Sequence, residues 1–176
     1  NSETILKEID DYQKLYHYKH LLHGKRVGVM GTPSAWLIAS GVNYLEAKNR
    51  WGVEFMDISL DDINHEYAKI TNQEVEKEAD NFTQQAQSCK EPNREDIIKA
   101  YRLYKAIRNV CVLHQLDAIT IQCFGLIPTT GTTGCLALAL LNDEGIIAGC
   151  EGDLQTLFTL MAVKAITGQT GFMCNP

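Results

Sequence analysis

The sequence predicts an α/β fold in three layers: a parallel five-stranded sheet of order 2-1-3-4-5, flavodoxin-like or Rossmann-like, with helices on both faces. Three observations predict it. Short runs rich in Val, Ile and Ala alternate with longer stretches whose apolar residues recur at helical spacing. Each strand-like run leads into a suspicious loop (31–36, 59, 122–134, 150–153 and 174–176), and in a parallel sheet all of these fall on one edge. No internal repeat or low-complexity segment interrupts the alternation.

At 176 residues and 45% hydrophobic content the chain is long enough for one domain with a sizeable core. A formal net charge of −6, without a basic block, argues against nucleic acid or a membrane surface as partner. No apolar run approaches the roughly 18 residues of a spanning helix, and no signal peptide is read at the start. Cys89, Cys111, Cys123, Cys135, Cys150 and Cys174 form no Cys-x-x-Cys pair, so a zinc knuckle is not expected. Most of them fall near strand ends or in apolar helices, the habit of reduced thiols. The expected compartment is therefore cytoplasmic, without disulfides.

Residues 3–22 read as a leading helix, with Ile5, Ile9, Tyr12, Leu15, Tyr16 and Leu22 on one apolar face. His17, His20 and His23 drift around it at spacing three, which suits solvated surface or partner contact better than a metal. The domain proper is expected over 24–176. Arg26–Met30 is the first strand. The loop Gly31-Thr32-Pro33-Ser34-Ala35-Trp36 then opens a helix, with Pro33 and Ser34 in its first turn or cap and free amides facing the strand end, a place for an anion or a hydroxyl-rich ligand. Helix continues over 43–50, and 53–59 alternates as the second strand. Residues 61–89 are a polar helical excursion. A long helix starts at Asn93 or Arg94, carries Ile97, Ala100, Tyr101, Tyr104, Ile107, Val110 and Cys111 on one face, and ends near His114. Ala118–Ile121 is the third strand, leaving through Gln122. Pro128-Thr129-Thr130-Gly131-Thr132-Thr133-Gly134 is either an anion cradle of backbone amides or a tight packing corner. A helix over 135–141, a turn at 142–145, a fourth strand over 145–149, a helix over 154–167 and a fifth strand over 170–174 complete the order.

Glu151 and Asp153 leave the carboxyl end of the fourth strand at the start of a helix, the edge where open α/β sheets bind ligands. Asp153 fits a helix cap. Glu151 lies off the strand and outside the helix, so a working role stands open for it.

The segments 31–40, 128–137 and Gly149-Cys150-Glu151-Gly152-Asp153-Leu154 resemble the L-fucose isomerase family, in its L-fucose isomerase-like branch, over roughly 24–176. The Cys-Glu-Gly-Asp run is the most specific part. The resemblance implies the middle α/β domain of a longer chain and a metal-dependent aldose–ketose isomerisation of a fucose- or arabinose-like sugar. It implies a divalent ion, usually manganese (Mn2+), held by Glu, Asp and His. The Glu matches Glu151, as catalytic group and metal ligand. Asn175 stands where the Asp belongs, and the His falls in a further domain. A hard cation prefers anionic oxygen, so a neutral amide is a weak ligand and no base. Thr32, Pro33, Ser34, Trp36, Gln122, Thr132, Thr133 and Asn175 are the implied sugar contacts. The implied partners are a small-molecule sugar, neighbouring domains of the same chain and further copies in a homo-oligomer. Two other classes compete: a carbohydrate-binding or assembly domain without catalysis, and a flavodoxin-like cofactor binder. The second is disfavoured because the threonine-rich loop follows the third strand rather than the first.

Overall fold

The computed structural model describes residues 2–174. Four parallel strands form the sheet: β1 (Arg26–Met30), β2 (Glu54–Ile58), β3 (Ala118–Ile121) and β4 (Ile147–Cys150), in the order β2-β1-β3-β4. Along each strand alternate residues turn to opposite faces. Ile119, Ile121 and Ala148 join Met30 and Ile58 in the larger core, whereas Ala118 and Ile147 join Val27 in the smaller one. The larger core lies under α3 (Leu60–Lys69), α4 (Glu76–Gln85), α5 (Arg94–His114) and α7 (Cys135–Glu144). The smaller is closed by α8 (Leu154–Thr167), Trp51 at the end of α2 (Tyr44–Trp51) and Leu22 at the end of α1 (Ser2–Leu22).

α5 is the main beam of the larger layer. Asn93 caps it, accepting from the Glu95 and Asp96 amides, while the Asp96 side chain accepts from the Asn93 amide, a reciprocal capping box. Nine of its residues are buried, including Leu103, Ala106 and Ile107 at 0% exposure, each large one contributing about 1.5–3 kcal/mol of apolar burial. The excursion after β2 is the α3–α4 pair, packed on α5 through Ile63, Tyr67 and Ala79 and tied by Arg94 to Asp80 and by Arg102 to the Ile70 carbonyl.

The expected fifth strand is absent: residues 170–174 are described and hold no ladder. The reason lies on the outer edge of β4. In β4, Ile147 donates inward to Asp117 of the chain entering β3, so Ala148 turns its N–H and C=O outward. The Asn142 side chain takes both: its Oδ1 accepts the Ala148 amide at 3.1 Å and its Nδ2 donates to the Ala148 carbonyl at 2.9 Å. The next outward amide, Cys150, is met by the Met173 sulfur at 3.3 Å. A side chain and a thioether thus cap the groups that a fifth strand would have used.

Three other expectations shift. No helix opens at Pro33 or Ser34; the loop runs on to Asn43, whose side chain accepts from Glu46 N and starts α2 at Tyr44. The stretch 142–145 is no separate turn, because α7 continues to Glu144 and ends on Gly145, at φ 94°. Finally, the apolar face of α1 is not covered: only Leu22 is buried, and Tyr12 and Tyr16 are more than 70% exposed. Among the described residues no single helix is long and apolar enough to cross a membrane.

Candidate active site

Because all four strands are parallel, the exits of β1, β3 and β4 meet at one edge. There the chain after β4 makes a left-handed turn. Glu151 has φ 64° and Gly152 φ 70°. For glycine this conformation is free; for a glutamate it costs on the order of 1 kcal/mol and has to be held by its surroundings. The surroundings do hold it. The Glu151 carbonyl accepts the Ser34 amide at 2.8 Å, and its carboxylate Oε2 accepts the Trp36 indole N–H at 2.8 Å. The Gly152 amide donates to the Ile121 carbonyl. A methyl group at position 152 would sit 2.7 Å from the Thr32 carbonyl oxygen and 2.7 Å from Pro33 Cα, so only glycine allows the β1 and β4 loops to touch.

Trp36 and Phe124 meet with ring centroids 5.8 Å apart, both more than half exposed, and form an aromatic wall beside the carboxylate. Gln122 completes the cluster from β3. Its amide donates to the Met30 carbonyl, and its side chain packs where Gly31, at φ 84°, lacks a Cβ. On its other flank Glu151 lines a cavity of about 650 Å³ with Leu37, Cys135, Cys150, Asp153, Thr156 and residues 170–174. That volume suits a small molecule, and among the described residues its lining includes no Lys or Arg.

The two carboxylates differ in what occupies them. Asp153 caps α8: Oδ1 accepts from Gln155 N and Thr156 N, and Oδ2 accepts from the Thr156 hydroxyl at 2.6 Å. Burial alone would raise its pKa, but the Thr156 side chain and amide, the Gln155 amide and the Ser40 hydroxyl outweigh it and hold the group below the ordinary carboxylate range. Both oxygens of Asp153 are thereby used. Glu151 Oε1 accepts no hydrogen bond among the described residues, which leaves it free for a ligand.

The sites expected from the sequence divide accordingly. The structure brings Ser34 and Trp36 to Glu151 directly and Thr32 and Pro33 against the adjacent Gly152; Gln122 packs on Gly31 at the same edge. It does not bring Thr132 and Thr133 into the cavity lining; they stand half-exposed in the link between α6 (Ile127–Thr130) and α7. Ser34 is 3% exposed, so its amide rather than its hydroxyl makes the contact seen with Glu151. Asn175 lies outside the described residues. Phe124 and the cysteines were not among the expected site residues. Cys123 lies in the short 3-10 turn Cys123–Leu126, and its sulfur is 3.0 Å from that of Cys150. The hydrogen bond between the two sulfurs pulls the pKa of Cys150 down to about 7 and, with burial, pushes that of Cys123 well up.

For a divalent ion the described residues do not suffice. No group of three His, Cys, Asp or Glu side chains among them is able to hold a metal. Glu151 offers one carboxylate, where a hard cation wants an oxygen-rich shell.

No family model matches the chain. It is similar to the sulfoquinovose isomerase of Clostridium sp. (strain MSTE9), at 23% identity over 179 aligned positions that take in 99% of this chain. They take in 39% of that protein, so the chain spans about two fifths of the relative's length.

Proposed function

We propose that this chain is the α/β domain of an aldose–ketose isomerase, acting on a fucose- or arabinose-like sugar or on a sugar of the sulfoquinovose kind. The observation that carries the reading is the Glu151 carboxylate. It is presented at the carboxyl edge of the sheet by a left-handed turn, held on one oxygen by Trp36 and free on the other. The distant likeness to a sugar isomerase supports the reaction class.

Aldose–ketose conversion moves a proton between adjacent carbons, one of them beside a carbonyl, through an enediol. A carboxylate able to accept the proton from one carbon and return it to the other does this work. The Trp36 N–H fixes the rotamer of Glu151 and leaves Oε1 for the C–H. Trp36 and Phe124 offer an apolar wall for the C–H face of a sugar ring. Thr32 and Gln122, at the exits of β1 and β3 on the same sheet edge, are candidate partners for hydroxyls.

The test is incubation of the complete protein with a panel of aldoses, sulfoquinovose included, in D2O, followed by NMR. Ketose formation with deuterium entering the carbon next to the carbonyl is expected. Saturable sugar binding without any ketose would instead favour a carbohydrate-binding domain.

A further inference from the structure

Among the six cysteines, Cys123 and Cys150 are set apart by geometry. Cys150 is the last residue of β4, paired in register with Ile121 of β3, and the 3-10 turn after β3 folds Cys123 back onto it. The sulfurs are 3.0 Å apart, so a closing movement of about 1 Å brings them to bonding distance. Cys123 has little freedom to turn away: it is 2% exposed, and a methyl at Gly134 would stand 3.0 Å from its sulfur. Cys150 is half-buried and lines the cavity that also holds Glu151. One thiol therefore faces incoming small molecules, and the second waits behind it.

We propose that Cys123 and Cys150 form a reversible intrachain disulfide on exposure to a hydroperoxide. In the first step the Cys150 sulfur attacks the distal oxygen of the hydroperoxide. The O–O bond breaks, Cys150 becomes a sulfenic acid, and the peroxide leaves as the alcohol, or as water from hydrogen peroxide. In the second step the Cys123 sulfur attacks the Cys150 sulfur. The S–O bond breaks and water departs with the Cys123 proton. Two thiols are oxidised by two electrons and one hydroperoxide is reduced. A dithiol reductant reverses the bond by exchange. The bridge ties the exits of β3 and β4 together directly before Glu151.

The test treats the full chain with hydrogen peroxide, blocks remaining thiols with iodoacetamide, and maps peptides by mass spectrometry. Expected is the loss of two titratable thiols, a Cys123–Cys150 linked peptide lighter by two hydrogens, and recovery of both thiols with dithiothreitol. Cys135→Ser leaves this unchanged. Cys123→Ser leaves Cys150 as a sulfenic acid that dimedone captures, and the wild-type map decides the matter if that variant fails to fold. A bridge involving Cys135 or Cys174 instead, direct conversion of Cys150 to sulfinic acid without a bridge, or no thiol loss would each overturn the proposal.

Discussion

Two loops leave the same edge of the sheet, yet they use their polar groups in opposite ways. The 128–134 corner after β3 consumes its hydroxyls. Thr130 is 4% exposed, donates to the Leu126 carbonyl at 2.9 Å, and its own carbonyl accepts from Tyr67. Thr129 donates to Asn64, and Gly131 supplies the left-handed cap that ends α6. The 150–153 turn after β4 saturates Asp153 in the same manner but leaves one oxygen of Glu151 open beside a cavity. The lesson is that position at the ligand edge marks both loops equally. What separates a working group from a structural one is whether the fold has already given its lone pairs a partner.

The largest effect expected from a substitution on stability sharpens that contrast at the seam between the β1 and β4 loops. Gly152→Ala adds a methyl against the Thr32 and Pro33 backbone in a left-handed residue. A loss of about 3 kcal/mol is expected in denaturant unfolding, combining backbone strain with overpacking. Next comes Trp36→Phe, which keeps the aromatic wall and deletes the N–H that orients Glu151. Turnover should fall about tenfold with little change in stability, the scale of one hydrogen bond to a charged group. An unchanged rate would mean that Trp36 does not orient the carboxylate.

Thr130→Val probes the other loop. It should cost about 1 kcal/mol of stability in thermal or urea unfolding and leave kcat where it is, because the buried hydroxyl serves only the corner. A loss of turnover without a loss of stability would return the corner to the list of ligand sites. The smallest effect is the pH dependence tied to Asp153. Its folded pKa is depressed, so its contribution is fully present above the unfolded value near pH 4. The contribution is lost as pH falls through the folded value. Asp153→Ala should therefore destabilise at neutral pH by about 1 kcal/mol, and the difference from wild type should shrink on acidification below about pH 4. A gap that stays constant down to acid pH would contradict the capping role.

Much of the fold was legible because periodicity and caps agree with tertiary packing. β1 and β3 fall where alternation and Val/Ile content put them, α8 spans the predicted 154–167, and Asn93 caps α5 with its own capping box. What was not legible depends on partners distant in sequence. Pro33 and Ser34 carry a helix-start signal, yet the loop runs on to Asn43, tied to the start of α8 through Ser40 on Asp153 and the Ala39 carbonyl on Gln155. Residues 170–174 have strand-like composition, yet Asn142, a residue that reads as turn, had already capped the strand edge they needed. In the site, the edge location of Glu151 and its neighbours Thr32 and Trp36 could be read from strand order. The place of Thr132 and Thr133 outside the cavity lining and the contact between Cys123 and Cys150 could not, since each rests on how a short turn folds back after β3.

Turnover of the complete protein carrying Glu151→Gln, set against Asp153→Asn, tests the assignment of the two carboxylates most directly. The amide keeps the shape of Glu151 and removes its basicity, so a loss of about 10²–10⁴-fold is expected, with an unchanged circular dichroism spectrum. Asn caps a helix about as well as Asp, so Asp153→Asn should stay near the wild-type rate. A Glu151→Gln variant that keeps most of its turnover while Asp153→Asn loses it would contradict the assignment, and the working group would be the cap.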